Sequence, residues 1–406
     1  MTAGATMAMT SGLTRTGGRS YQSSWRVTTA KPVAYDVEFR SGILDPDDSS
    51  LVRAGGVDAA GGRRLVVMER RIQELYGDAV SAYFDAHGVA STVCLLDTSE
   101  QAKSVASALL VVAAMDRFGI SRRSEPVIAI GGGVLTDIVG FAASLYRRST
   151  PYVRVPTTLI GMVDAAIGAK TGVNHDGKKN RLGSYHPSTA TLIDCVFLRT
   201  LDRRHISNGL AEVLKMATVA DSALFDLLAE HGRRLIDERL QPVPGSSDAG
   251  VAAEVIYRAI DGMLAELQPN LWEERLHRCV DYGHSFSPAI EMQALPDLLH
   301  GEAVAIDMAC TTILARQRGL ISAAEDDRIF AVLRDLELPV WHRVCRLDLM
   351  TAALADVVRH RNGRQQMPLL DGIGRVRFVD DVTVRELHLA LAELADRASL
   401  TSGQLA

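Results

Sequence analysis

Three stretches of the chain place carboxylates, imidazoles and an ammonium where an interior helix face or a merely soluble loop would not need them. Gly209-Leu-Ala-Glu212-Val-Leu-Lys215 sets a carboxylate and an ammonium three residues apart, on one face of a helix. Gly283-His284-Ser285 and Leu299-His300-Gly301-Glu302 add two imidazoles beside glycines. Glu212, His284 and His300 together make a candidate divalent-metal site that leaves positions for substrate oxygens or water. Zinc suits these ligand types best, and cobalt could serve. Each member also has an ordinary reading: Glu212 with Lys215 as a surface pair, and each histidine as a hydrogen-bonded structural residue.

A second group of residues could hold a nucleotide. Val127-Ile-Ala-Ile130 reads as a strand ending at Gly131-Gly132-Gly133, before a helical pattern from Val134 to Tyr146 that includes Asp137. Such a turn lets backbone N–H groups approach a pyrophosphate at a positive helix end. It is not the G-x-G-x-x-G fingerprint, and alone it fits a structural turn equally well. Asp97 and Glu100 follow another strand end, where a carboxylate could accept hydrogen bonds from a ribose or simply cap a helix. Asp164-Ala-Ala-Ile-Gly-Ala-Lys170-Thr-Gly-Val-Asn174-His175, with Gly177-Lys178-Lys179-Asn180-Arg181, concentrates donors and glycines as a phosphate cradle would. A solvated basic loop is the alternative.

The elements that must position these groups divide the chain in two. With 406 residues, 47% hydrophobic and 23% charged, it can bury a large core. Residues 1–32 read as a flexible solvated tail. From 33 to 204 short apolar runs, among them Val93–Leu96 and Tyr152–Val155, alternate with helical patterns as in a parallel α/β sheet. From 205 to 406 long 3.6-period stretches such as Asn208–His231, Ala252–Leu267 and Gly301–Arg318 predict a mostly helical domain. A loop at Val243–Gly250 and a small hairpin within Met367–Val379 interrupt it. The net charge of −5, spread over both signs, offers no basic stripe for nucleic acid or an anionic membrane. No apolar run approaches the ~20 residues of a membrane span. Five scattered cysteines without a C-x-x-C pair fit a reducing cytoplasm.

Read together and in this order, the stretches resemble the sugar phosphate cyclases, whose best-known member is 3-dehydroquinate synthase. The matching run is Gly131-Gly-Gly-Val-Leu-Thr-Asp137-Ile-Val-Gly140-Phe, Val155-Pro-Thr-Thr158, Asp164 to Lys170, Lys179-Asn180, Gly209 to Lys215, Tyr282-Gly-His284 and His300-Gly-Glu-Ala-Val304. The resemblance implies a Rossmann-like NAD-binding α/β domain followed by a helical metal-binding domain. It also implies Glu212, His284 and His300 as metal ligands, and Gly131, Gly132, Gly133 and Asp137 as pyrophosphate and ribose contacts of NAD. Asp97, Glu100, Lys103, Thr157, Thr158, Lys179 and Thr200 match less distinctive cofactor positions. Asp164, Lys170, Asn180 and Lys215 look like substrate contacts. Arg148 falls where the family reaches a phosphate in the neighbouring subunit, which implies a homodimer.

Departures from 3-dehydroquinate synthase narrow the expected substrate. His277, Asp281 and Pro288 stand where that enzyme has Arg, Asn and His; Met263 replaces a substrate-binding Lys; and Arg359-His360 lies near a Lys pair. Fewer fixed cations disfavour a carboxylated substrate. The altered set looks like the valiolone-forming branch of the family, which cyclises sedoheptulose 7-phosphate. That chemistry runs through transient oxidation by bound NAD, β-elimination of phosphate, reduction, ring opening and intramolecular aldol addition. In the related desmethyl-4-deoxygadusol synthases, positions matching Leu267, Asp281 and His360 carry other residue types, so these three are expected to govern product choice. Other cyclases, such as 2-deoxy-scyllo-inosose synthase, and the metal-dependent polyol dehydrogenases are the alternatives, the latter disfavoured by Lys170, Asn180 and Arg148.

Overall fold

The computed structural model describes residues 12–16, 24–54, 62–242 and 250–403. The segment up to Tyr35 is a unit of its own, in which β1 (Gly12–Thr16) pairs antiparallel with β2 (Ser24–Thr28). A solvated-tail composition gave no sign of that hairpin. Residues 1–11 and 17–23 of the tail, and all but Gly250 of the loop read at Val243–Gly250, lie outside the described residues.

The second unit begins with β3 (Asp36–Arg40), followed by α1 (Ser50–Arg53), β4 (Arg63–Glu69), α2 (Arg70–Ala86), β5 (Ala90–Leu96), α3 (Val105–Phe118), β6 (Val127–Gly131), α4 (Gly133–Leu145) and β7 (Tyr152–Pro156). After β7 the chain leaves the sheet to form an antiparallel hairpin, β8 (Lys170–His175) and β9 (Lys178–Tyr185), and returns as β10 (Ala190–Asp194). The sheet is parallel with spatial order β3-β10-β7-β6-β4-β5. Every residue of β6, β7 and β10 is buried, the pattern of strands covered on both faces. The stretch read as a basic phosphate loop is thus largely strand, with Asp164 in a single π-helical turn, Gly161–Ala165, before it.

Helices dominate the remainder: α5 (Arg203–Val219), α6 (Ser222–Asp237), α7 (Val251–Leu267), α8 (Ser287–Ala294), α9 (His300–Gln317), α10 (Ala323–Asp335) and α11 (Leu347–His360). The hairpin of β11 (Met367–Leu370) and β12 (Val376–Val379) precedes α12 (Val384–Gly403). The single periodic stretch read over Asn208–His231 is two helices. Asp221 accepts a hydrogen bond from the Leu224 N–H, so a capping carboxylate starts α6 where periodicity alone runs on.

α5 and α9 carry the site. Every residue from Ile206 to Val219 and from Gly301 to Ala315 is buried, so both helices lie inside the protein rather than on its surface. Their backbones touch. A Cβ on Gly301 would sit 1.9 Å from the Asn208 carbonyl oxygen, and one on Gly209 would sit 2.5 Å from Leu159 Cβ. Only glycine permits that approach, which brings the first turn of α9 against the middle of α5.

Candidate metal and nucleotide site

Glu212 and Lys215 are 1% and 2% exposed, which removes the surface-pair reading. Glu212 Oε1 lies 3.2 Å from His300 Nε2 and 3.6 Å from His284 Nε2. One ligand atom from each of the three residues falls within 4.8 Å of the others. His284 reaches the site because Gly283 takes a φ of 73°, and a Cβ there would press to 2.9 Å from Val304 Cγ1. Tyr282, fully buried, bonds Thr312 at 3.1 Å, and Asp307 Oδ2 accepts the Phe286 and Ser287 N–H groups at 2.5 and 2.9 Å. These bonds pin the turn on either side of His284.

The donor chemistry fits a divalent ion. His284 Nδ1 donates to the Tyr282 carbonyl at 3.1 Å, which leaves its lone pair on the Nε2 that faces Glu212, and His300 Nδ1 donates to Glu291 Oε2 at 2.8 Å, so that a neutral His300 would offer Nε2 likewise. Burial alone would raise the Glu212 carboxyl, but Lys215, His284 and His300 hold it well below the usual carboxylate range. Burial pushes His284 down to about 4, against the pull of Glu212. His300 is instead held up to about 9, because Glu291 and Glu212 outweigh burial and the nearby Lys179. Lys215 Nζ sits 2.5 Å from Glu212 Oε2 and 3.4 Å from Asp164 Oδ1. Burial lowers this ammonium, yet Asp164 and Glu212 raise it above its ordinary value, so Lys215 keeps its proton.

Glu291 is a functional residue the sequence reading missed. It lies in the sequence Ser-Pro-Ala-Ile-Glu-Met, and a charge between Ile290 and Met292 on a short helix was the available signal. Its oxygens take Lys179 Nζ at 2.7 and 2.6 Å as well as His300 Nδ1. Lys179, expected to contact the cofactor, is therefore committed to Glu291 and lies 2.9 Å from His300 Nδ1. Outer partners of this kind commonly contribute roughly 10–100-fold to metal affinity. Glu291→Gln should weaken divalent-metal binding by about that factor, read by competition with a chromogenic chelator. An unchanged dissociation constant would leave Glu291 with no part in holding His300.

The glycine turn lies where β6 meets α4. Cβ atoms on Gly132 and Gly133 would meet Thr158 Cγ2 at 3.2 Å and Ala165 Cβ at 3.0 Å, so the turn nests against β7 and the segment after it. Thr157 is buried with its Oγ1 unpaired, and its N–H donates to the Gly131 carbonyl. Thr158 Oγ1 accepts from the Gly161 N–H at 3.2 Å. Lys103 joins this turn to the β8–β9 hairpin, donating to Asp137 Oδ2 at 2.6 Å and Asn180 Oδ1 at 2.7 Å. Burial lowers the Lys103 ammonium, but Asp137 and Glu100 raise it above its ordinary value. Glu100 accepts from Asn174 Nδ2, while exposed Asp97 accepts the Ser99 N–H and so shapes a turn. Asn180, expected at the substrate, stands in this cofactor-side network. Thr200 Oγ1 bonds Tyr76 OH at 2.9 Å.

Near Lys215 and the metal trio lies a cluster of charges, called the recess for the exposed Lys170 side chain at its edge. Lys170 pairs with Glu273, Glu273 with Arg278, and Asp281 with both Arg278 and Arg361, the last at 3.1 Å. Beside the positions of His277 and Met263, where cations were expected to be withdrawn, Arg278 and Arg361 are two cations that the sequence reading did not weigh, and their guanidinium groups hold the Asp281 carboxylate. Burial and Arg278 lower the Lys170 ammonium to about 8. Its side chain is nonetheless 58% exposed, so solvent screens part of that shift.

The remaining expected residues are placed as follows. Met263 is buried in the core, and Leu267 Cδ1 would lie 3.2 Å from a Cβ on Gly168. Pro288 opens α8, as its missing N–H permits. His277 is exposed and packs on Phe378, with ring centroids 5.0 Å apart. His360 is exposed at the end of α11, next to Arg361. Arg148 is exposed in a turn where Arg147, Arg148 and Ser149 have φ of 46°, 61° and 100°.

The described residues include no helix long and apolar enough to cross a membrane. The family model of the 3-dehydroquinate synthase N-terminal domain matches residues 93–208, and that of the C-terminal domain matches residues 209–360. A 2-epi-5-epi-valiolone synthase of Streptomyces hygroscopicus subsp. jinggangensis (strain 5008) is 56% identical over 92% of this chain and 90% of its own. A demethyl-4-deoxygadusol synthase of Trichormus variabilis is 35% identical over 92% of this chain and 90% of its own. Among solved structures, the Streptomyces hygroscopicus subsp. jinggangensis 2-epi-5-epi-valiolone synthase with NAD+ and Zn2+ bound has a TM-score of 0.87 at 55% identity, covering 92% of this chain and 100% of that one. Two matched family models in tandem, and relatives this similar over nine-tenths of their length, place the chain in the 3-dehydroquinate synthase family of sugar phosphate cyclases.

Proposed function

We infer that this chain is a 2-epi-5-epi-valiolone synthase, a lyase that cyclises sedoheptulose 7-phosphate with loss of phosphate. The observation that carries the reading is 56% identity, over 92% of the chain, to an enzyme of that name. The glycine turn, Asp137 and Thr157 would hold NAD, which would supply a transient oxidation and its reversal within one turnover. Glu212, His284 and His300 would hold a divalent ion, zinc by ligand type with cobalt an alternative, which would supply Lewis-acid polarisation of a substrate oxygen.

The chain's own groups divide the remaining work. Lys215, which keeps its proton between Glu212 and Asp164, donates to a substrate oxygen rather than removing a proton from one. Lys170, lowered to about 8 and open to the recess, donates to phosphate or hydroxyl oxygens. Asp164 and Asp281 accept from sugar hydroxyls. We extend the reading to a cytoplasmic homodimer in which the exposed Arg148 reaches the substrate phosphate of the neighbouring subunit. The left-handed turn that carries it costs backbone strain, which suits a residue set in place for a partner.

Incubation with sedoheptulose 7-phosphate, NAD+ and Zn2+ should release one phosphate per carbocycle, identified by NMR and mass spectrometry, while absorbance from free NADH stays flat. Stoichiometric NADH would instead support a polyol dehydrogenase.

A further inference from the structure

We propose that Arg154 is a positioning residue that sets the distance between the two substrate-facing groups Asp164 and Lys170. Arg154 lies on β7 and is 0% exposed, and no carboxylate among the described residues pairs with it. Its partners are backbone carbonyls: Nη1 donates to Ala166 at 3.2 Å and Gly168 at 2.6 Å, and Nη2 to Lys170 at 3.1 Å. Burying a guanidinium is costly unless its donors are used; here three carbonyl dipoles and the Tyr152 ring, 5.2 Å from the guanidinium carbon, take the place of a counter-ion, while Nε has no partner among the described residues.

Those carbonyls explain why an arginine stands there. Residues 166–169 are irregular backbone between the Asp164 turn and β8, and Ala166, Ile167 and Ala169 are at most 2% exposed. Buried carbonyls outside a ladder need donors from elsewhere. Thr191 Oγ1 adds a second bond to Ala166, and the His186 N–H serves Ala169. The planar fork of Arg154 serves Gly168, shares Ala166 and reaches Lys170 at the start of β8, a fixed geometry that a flexible ammonium does not reproduce. The same segment packs Gly168 against Leu267, so it is held from both sides. Asp164 at one end faces Lys215, and Lys170 at the other faces Glu273. A shift of about 1 Å in such a frame commonly costs about 100-fold in rate.

The proposal rests on the cyclase reading for its kinetic arm only. Arg154→Lys is expected to keep NAD+ affinity and metal content within about twofold of wild type and to lower kcat on sedoheptulose 7-phosphate by about 100-fold. Arg154→Met, which removes the fork from the Gly168 and Lys170 carbonyls and leaves Ala166 with Thr191 Oγ1 alone, is expected to lose more. A second arm does not need the substrate: the acetylation rate of Lys170, followed by peptide mass spectrometry, should change at least several-fold in Arg154→Lys while that of exposed Lys178 does not. If wild-type protein fails to turn over the sugar phosphate, the functional reading fails and the Lys170 rate alone decides the positional one. Unchanged Lys170 reactivity in folded Arg154→Lys, or kcat falling only in proportion to NAD+ binding, would overturn it.

Discussion

Glu212→Gln is expected to lose bound divalent metal and turnover together while its helical content remains. The carboxylate lies inside α5, 1% exposed, with both oxygens aimed at cations or imidazoles and neither in an ordinary hydrogen bond. Lys215 and the two histidines keep it ionised despite burial. An amide has the same shape but no charge, so the trio would retain two neutral imidazoles and lose the only anion among the three. Lys215 would then keep only Asp164, 3.4 Å away, as an anionic partner. Removing one member of a buried pair typically costs about 3–5 kcal/mol, so the variant should also melt earlier. Turnover should fall beyond the roughly 10²–10³-fold of a single lost electrostatic donor. Metal content by mass spectrometry and circular dichroism separate the outcomes. A variant that binds one equivalent of zinc as tightly as wild type would remove Glu212 from the site.

Much of this site was legible because the chemistry breaks local rules. Glu212 and Lys215 stand on a helix otherwise apolar enough to be interior, and His284 and His300 each follow or precede a glycine whose reason is close packing. The sheet was legible too, since β6 and β7 are short buried runs with sharp glycine or proline ends. What escaped were residues whose roles depend on the partner brought to them. Glu291 acquires meaning only when α8 lies beside α9 and β9 supplies Lys179. Arg278 and Arg361 are 83 positions apart and meet only at Asp281. Arg154 looked like one polar residue in a strand, and nothing local announces three carbonyls arriving from a later turn. The β8–β9 hairpin escaped because its glycines and lysines mimic a loop. Gly172 and Gly183 are in fact there for close strand approach, with Cβ positions 2.9 and 2.5 Å from the facing carbonyl oxygens.

Substrate choice in the recess should shift toward anions in Asp281→Asn. As it stands, Lys170, Arg278 and Arg361 face Glu273 and Asp281, three cations against two carboxylates. Both oxygens of Asp281 are held by guanidinium groups, so it would meet a sugar hydroxyl as a fixed, pre-aimed carboxylate rather than a free one. It also neutralises the cations that would otherwise draw a substrate carboxylate, which suits the cluster to a heptulose phosphate without a carboxylate. Asparagine keeps the shape and removes the charge, leaving three cations against one carboxylate. The lost charge-assisted acceptor should lower kcat/KM for sedoheptulose 7-phosphate by roughly 10–100-fold, corresponding to about 1.5–3 kcal/mol. Inhibition by inorganic phosphate and by 3-deoxy-arabino-heptulosonate 7-phosphate should strengthen, because the repulsive element is gone. His360→Thr changes an exposed residue at the end of α11, one position from Arg361, and is expected to divert or slow cyclisation without altering metal or NAD+ binding. Asparagine is preferred to alanine at position 281, since alanine would leave an empty space between two guanidinium groups and test stability instead. Wild-type kcat/KM with unchanged anion inhibition in Asp281→Asn would show that the Arg278–Asp281–Arg361 bridge is a structural strut and that selection lies elsewhere in the recess.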